Sequence, residues 1–79
     1  MKAKWIDFIL IEQKPKTKVF AVVNKEDKSK IGIIAWYSAW RKYSFSPFKD
    51  TVFEQTCLTD ISDFLKQLMN ERKLQQGKR

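Results

Sequence analysis

The sequence predicts an α+β fold: a four- to five-stranded antiparallel meander sheet followed by one C-terminal helix packed on one face. Three observations predict it. Short runs rich in β-branched and aromatic residues fill the first part of the chain. The stretches between them are too short for the crossover helices that a parallel sheet needs. Apolar residues at helical spacing appear only near the end, and a helix of that kind must bury its stripe against the one surface on offer, a sheet face.

The elements follow in order. "KWIDFILIE", residues 4–12, reads as a first strand carrying Trp5, Ile6, Phe8, Ile9, Leu10 and Ile11. "QKPKTK" follows, and Pro15 marks a turn. "KVFAVVN", residues 18–24, reads as the second strand, and the polar "KEDKS" returns the chain as a hairpin. "KIGIIAWY", residues 30–37, is the third strand, and "WRKYSFS", residues 40–46, the fourth. Pro47 ends it, because proline cannot donate to a sheet ladder. "TVFEQT", residues 51–56, is either a short fifth strand or an extended lead into the helix. Thr59 is the expected N-cap, with Asp60 and Asp63 in the first turn. Ile61, Phe64, Leu65, Leu68 and Met69 fall on one helical face, and Arg72 and Lys73 suit the negative end of the helix dipole. One domain is expected over residues 1–74, with a frayed polar tail over 75–79.

The hairpin "IAWYSAWRKYSF", residues 34–45, holds five aromatic residues and two adjacent cations. With Ser38 and Ala39 as a two-residue loop, Tyr37 lies opposite Trp40, Trp36 opposite Arg41, Ile34 opposite Tyr43 and Gly32 opposite Phe45. Side chains alternate along each strand. One face then carries Ile34, Trp36, Arg41, Tyr43 and Phe45, and the other Ile31, Ile33, Ala35, Tyr37, Trp40, Lys42 and Ser44. The first is richer in large apolar groups and is assigned to the core under the helix. Ser-Ala is not a favoured turn pair, so a longer loop or a bulge stays open.

The second face mixes flat rings with a cation. Rings stack on bases and cations neutralise phosphate, which is what an unpaired nucleic-acid strand needs. Tyr37 and Trp40 equally suit a cluster that closes the hairpin tip, or a dimer interface. Lys14, Lys16 and Lys18 alternate, so an extended segment would set them along one side as a basic ridge. Lys28 and Lys30 add charge at the next turn, near the opposite strand ends.

Composition narrows the function. The chain has 79 residues and a formal net charge of +7, concentrated in the first 50 residues, where 11 basic residues stand against 5 acidic ones. An anionic partner is therefore expected. There is no histidine and only one cysteine, Cys57, so no internal disulfide, zinc-type ligand set or usual catalytic triad is available. Two glycines cannot build a glycine-rich phosphate loop. No enzymatic activity, metal or cofactor is expected. Cys57, placed just before the helix, reads as a small buried hydrophobe. No apolar run reaches transmembrane length and no signal peptide is legible, so the expected location is the cytoplasm.

Trp36-Tyr37-Ser38-Ala39-Trp40-Arg41-Lys42-Tyr43-Ser44-Phe45-Ser46-Pro47, then Thr51-Val52-Phe53, then Cys57-Leu58 and Asp60-Ile61, resembles a pattern found in small uncharacterised proteins of bacteriophages and prophages. The resemblance covers roughly residues 18–70. It implies a phage or mobile-element setting, hence an accessory protein inside a bacterial host cell. The architecture alone, without a shared motif, is similar to the single-stranded-DNA-binding domain of the eukaryotic coactivator positive cofactor four, which acts as a dimer.

These readings lead to a small basic protein that binds single-stranded DNA or RNA through Lys14, Lys16, Lys18, Lys30, Tyr37, Trp40, Arg41 and Lys42. The alternative is a protein-interaction module, such as a phage inhibitor of a host enzyme or defence complex, in which the same side chains grip an acidic host protein. A structural part of a phage particle is a third reading. Ile31 and Ile33, apolar on the face without a helix, lead to the expectation of a homodimer.

Overall fold

The computed structural model describes the backbone of residues 5–76 and the side chains of residues 5–72. Strands β1 (Ile6–Gln13), β2 (Lys18–Asn24), β3 (Lys30–Tyr37) and β4 (Lys42–Pro47) form one sheet in the order β1-β2-β3-β4, with every neighbouring pair antiparallel. Helix α1 (Gln55–Gln76) follows. The meander and its single C-terminal helix match the fold read from the sequence.

Cross-strand partners share a face. Ile6, Phe8, Val22, Phe20, Ile34, Trp36, Tyr43 and Phe45 belong to the side under α1, which lays Cys57, Ile61 and Leu68 on them. Val22 and Ile34 are fully inaccessible. Burying each stabilises the fold by about 1.5–3 kcal/mol. Phe64 lies in the middle of this layer, stacked on Phe8 at 4.1 Å and edge-on to Phe20 at 4.9 Å. The opposite side carries Ile9, Ala21, Ile33 and Ser46 in one row, with Tyr37 and Lys42 paired in another. Ala21 is nearly inaccessible there, shaded by the two isoleucines that flank it.

The structure corrects several expectations. β1 starts at Ile6, and Lys4 lies outside the described residues. The third hairpin has a four-residue loop, 38–41, instead of two residues. Trp40 N–H donates to the Tyr37 carbonyl and Arg41 N–H to the Ser38 carbonyl, both at 3.2 Å. Arg41 closes the turn with φ 54°, and four-residue loops are commonly built around such a turn. Trp40 and Arg41 therefore leave the strand. The pairing becomes Trp36↔Tyr43, Ile34↔Phe45 and Gly32↔Pro47. This is a shift of two residues, so each remaining strand residue keeps its face. Gly32 still needs to lack a side chain. A Cβ there would run into the Phe45 ring, which leans over it diagonally, and would lie 2.9 Å from the Ser46 carbonyl oxygen.

Ile31 is corrected too. A bulge in the β2–β3 pairing skips it, since Val22 pairs with Gly32 and Val23 with Lys30. The extra residue breaks the alternation. Ile31 packs against the helix-side core, and of the two isoleucines only Ile33 stays on the open face.

Among the described residues no fifth strand forms, and of the two readings for residues 51–56 the lead into the helix is the one that holds. Residues 51–54 have no regular structure, and Phe53 is held edge-on against Phe45 at 5.2 Å. The helix begins at Gln55, four residues before the expected Thr59 cap. Glu54 caps it instead, its Oε1 accepting the Cys57 N–H at 2.8 Å. The carboxyl is held below its usual range by the Cys57 and Thr56 backbone N–H groups. Asp60 and Asp63 consequently fall beyond the first turn, and Cys57 lies inside the helix, not before it. Cys57 is buried as expected, and that burial pushes its thiol upward. Helix reaches Gln76, two residues into the expected tail, and 77–79 lie outside the described residues.

Candidate nucleic-acid interface

An antiparallel meander sends alternate connections to opposite ends of the sheet. Loops 14–17 and 38–41 therefore share one end. α1 runs opposite to β4, so its C-terminal turns arrive at the same end. Two contacts confirm this: Tyr43 N–H meets Met69 Sδ at 3.4 Å, and Arg72 Nη1 donates to the Lys16 carbonyl at 2.9 Å. The loop of residues 25–29 and the start of α1 occupy the other end.

Seven of the eight candidate residues gather at the first end: Lys14, Lys16, Lys18, Tyr37, Trp40, Arg41 and Lys42. Lys30 opens β3 at the far end, beside the loop of residues 25–29. The two candidate loops are two strand spacings apart, about 10 Å. One bound strand can touch both.

Tyr37 and Lys42 are cross-strand partners on the open face. Trp40, on the loop beyond them, sets its ring edge-on to Tyr37 at 5.0 Å. Tyr37 is 49% exposed and Trp40 69%. An exposed indole braced by a second ring is a suitable platform for a flat base. Arg41 and Lys42 are both exposed and sit directly beside it in the chain.

The three alternate lysines do not form an extended ridge. Residues 14–17 make a tight turn in which Lys14 N–H donates to the Thr17 carbonyl at 2.8 Å. The Gln13 side-chain amide also donates to the Lys14 carbonyl at 2.8 Å. Lys14 and Lys16 ride on this turn, and Lys18 begins β2. The Lys18 backbone N–H donates to the Tyr43 hydroxyl at 3.1 Å, tying the basic turn to the aromatic hairpin.

Sequence reasoning assigned Arg72 only a helix-end role. Its guanidinium lies 4.1 Å above the Trp36 ring while it also holds the Lys16 carbonyl. One side chain thus joins the helix, the β3–β4 hairpin and the basic loop. Nothing in the sequence signals that a residue 36 positions away would cover Trp36. Trp36 is itself held edge-on to Tyr43 at 5.5 Å. It belongs to the support beneath the surface, while Tyr37 and Trp40 form the surface.

Among the described residues no three His, Cys, Asp or Glu side chains gather as a metal site, and no helix is long and apolar enough to cross a membrane. No protein-family model matches the chain, and no solved structure matches it. An uncharacterized 9.3 kDa protein of Acholeplasma phage L2 is 36% identical over 58 residues, which span 73% of this chain and 74% of the phage protein. At that identity and coverage, the chain belongs to the same family as this phage protein.

Proposed function

We propose that this chain is a non-enzymatic nucleic-acid-binding protein that prefers single strands and acts in the cytoplasm of a bacterial host. The observation that carries the reading is Trp40. Its indole is 69% exposed, braced by Tyr37, and placed at the same end of the sheet as Lys14, Lys16, Lys18, Arg41 and Lys42. Rings supply stacking that tolerates any base, and the surrounding cations supply phosphate neutralisation. Membership of a phage protein family supports the host-cell setting. Lys30, at the other end, contributes only long-range charge in this reading.

A homodimer belongs to the same proposal. Its support comes from Ile9, Leu10 and Ile11, each about half exposed along β1, an outer strand of the sheet. Light scattering over a wide concentration range checks it, and a constant monomer mass removes it.

The binding test is fluorescence anisotropy with a labelled mixed-sequence DNA strand, its RNA counterpart and the matching duplex. Single strands should bind more tightly than duplex, with affinity falling steeply as salt rises. Absence of binding at low salt overturns the proposal and favours an acidic host protein as the partner of this surface.

A further inference from the structure

The sheet ends at β4, but α1 extends past it. Cys57, Ile61, Phe64 and Leu68 face the four strands, while Leu58, Leu65 and Met69 lie one position further round the helix. Between this second apolar row and β4 runs a groove of about 700 Å³ lined by Tyr43, Phe45, Leu58, Ile61, Leu65 and Met69. Leu58 is 51% exposed in it. A fifth strand beside β4 would occupy this position. Residues 51–54 could have supplied one, yet they leave β4 without forming a strand.

The backbone of β4 is oriented to accept such a strand. Phe48 N–H donates to the Ile31 carbonyl at 3.0 Å, and hydrogen-bonded pairs alternate along an antiparallel ladder. Ser46, Ser44 and Lys42 therefore turn their backbone groups toward β3, and Tyr43, Phe45 and Pro47 turn theirs outward. Tyr43 N–H is met by the Met69 thioether, a weak acceptor, and Pro47 has no N–H. Among the described residues, the Phe45 N–H and the Phe45 and Tyr43 carbonyls remain for an added strand. A helix laid in the groove would bury these groups without partners, which leaves their desolvation uncompensated. An extended chain would pair them.

Charge selects among extended chains. Lys42 and Lys66 border the groove, and the whole chain carries +7. We infer that the groove between β4 and α1 binds an extended acidic peptide segment by strand addition at Phe45, alternate apolar side chains entering the groove beside Lys66 and acidic ones on the other face meeting Lys42. This site borders the proposed nucleic-acid surface and shares Lys42 with it, but its apolar lining is distinct from Trp40 and Tyr37.

The test is selection from a random decapeptide library displayed on phage, followed by titration of the best synthetic peptide. Selected peptides should alternate apolar residues with Asp or Glu. Methylating alternate peptide amides should weaken binding about tenfold or more, and so should Leu58→Glu. Leu58 is half exposed, so this variant should melt like the parent and bind nucleic acid like the parent. Lys66→Glu, at an exposed position, should lower affinity for acidic peptides without affecting the fold. Four results overturn the inference: no enrichment over the library, selected peptides patterned as helices, affinity indifferent to Leu58→Glu, or a parent dimer that Leu58→Glu converts to monomer. The last would make a second copy the occupant.

Discussion

The β3–β4 hairpin holds two aromatic pairs with almost the same geometry and opposite environments. Trp36 and Tyr43 meet edge-on at 5.5 Å with an interplanar angle of 82°, and Tyr37 and Trp40 at 5.0 Å with 81°. The first pair lies on the helix side. Tyr43 is buried, its hydroxyl accepts a backbone hydrogen bond, and Arg72 covers Trp36. The second pair stands exposed at the open side and tip. Edge-on packing by itself thus says little about role, since both pairs gain a similar ring–ring attraction. What separates them is the layer above each: α1 over one, solvent over the other. Stability should depend on the first pair and binding on the second.

The sharpest way to break this contrast is Trp36→Ala. It empties a large ring, and it removes the platform under Arg72. A loss of about 3 kcal/mol is expected, the lower end for an aromatic because Trp36 is half-buried. In so short a chain this is a large share of the total stability. Urea titration measures it, and a loss near zero would mean that the hairpin's helix side contributes little to the fold.

Gly32→Ala probes the same side from beneath. Its new Cβ would displace the Phe45 ring and press on the rigid Ser46 carbonyl. Overpacking of this kind costs about 1–3 kcal/mol. A variant that melts with the parent would show that Phe45 can turn aside freely.

Trp40→Ala should do the reverse of Trp36→Ala. The fold should hold, because the ring is mostly in solvent. Single-strand affinity should fall by about 1–3 kcal/mol by anisotropy. Equal affinity in parent and variant would strip the second pair of its proposed role.

Smaller effects distinguish the cations. Replacing Lys14, Lys16 or Arg41 by alanine, one at a time, should reduce the salt slope by about one each if that residue touches a phosphate. Lys30→Ala, at the other end of the sheet, should leave the slope unchanged. A slope equally sensitive to Lys30 would place binding across the whole face instead of at one end.

The smallest effect concerns the helix that covers the first pair. Hydrogen bonds from the first turn depress the Glu54 carboxyl. A carboxylate with a lowered folded pKa stabilises fully above its unfolded value of about 4.5 and loses that contribution as the pH falls through the folded value. Glu54→Gln should therefore melt below the parent at neutral pH, and the two curves should converge in acid. A gap that persists in acid would mean that the cap is not electrostatic.

Much of the fold was legible in the residues themselves. β2 and β3 have the limits their β-branched runs imply, because proline and polar clusters bound them closely. The helix start was misread because Thr59 has a good capping side chain in a position where the backbone is already helical. Glu54 is a less usual cap, but its carboxylate reaches the Cys57 N–H. The candidate site was half legible. Rings and cations could be named from composition and spacing, and the meander already set Lys30 near the opposite strand ends, but the tight turn that replaces the expected lysine ridge was not legible.

The amino-acid sequence by itself determined the α+β class, the meander and the faces of those hairpin residues that stay paired. Alternation along a strand and spacing along a helix are local properties, and they survived even a two-residue change of register. Only the tertiary structure decided that Ile31 turns inward and that Arg72 covers Trp36. Those outcomes depend on a bulge and on where a long helix ends. Each is a relation between residues far apart in the chain, and no local pattern encodes it.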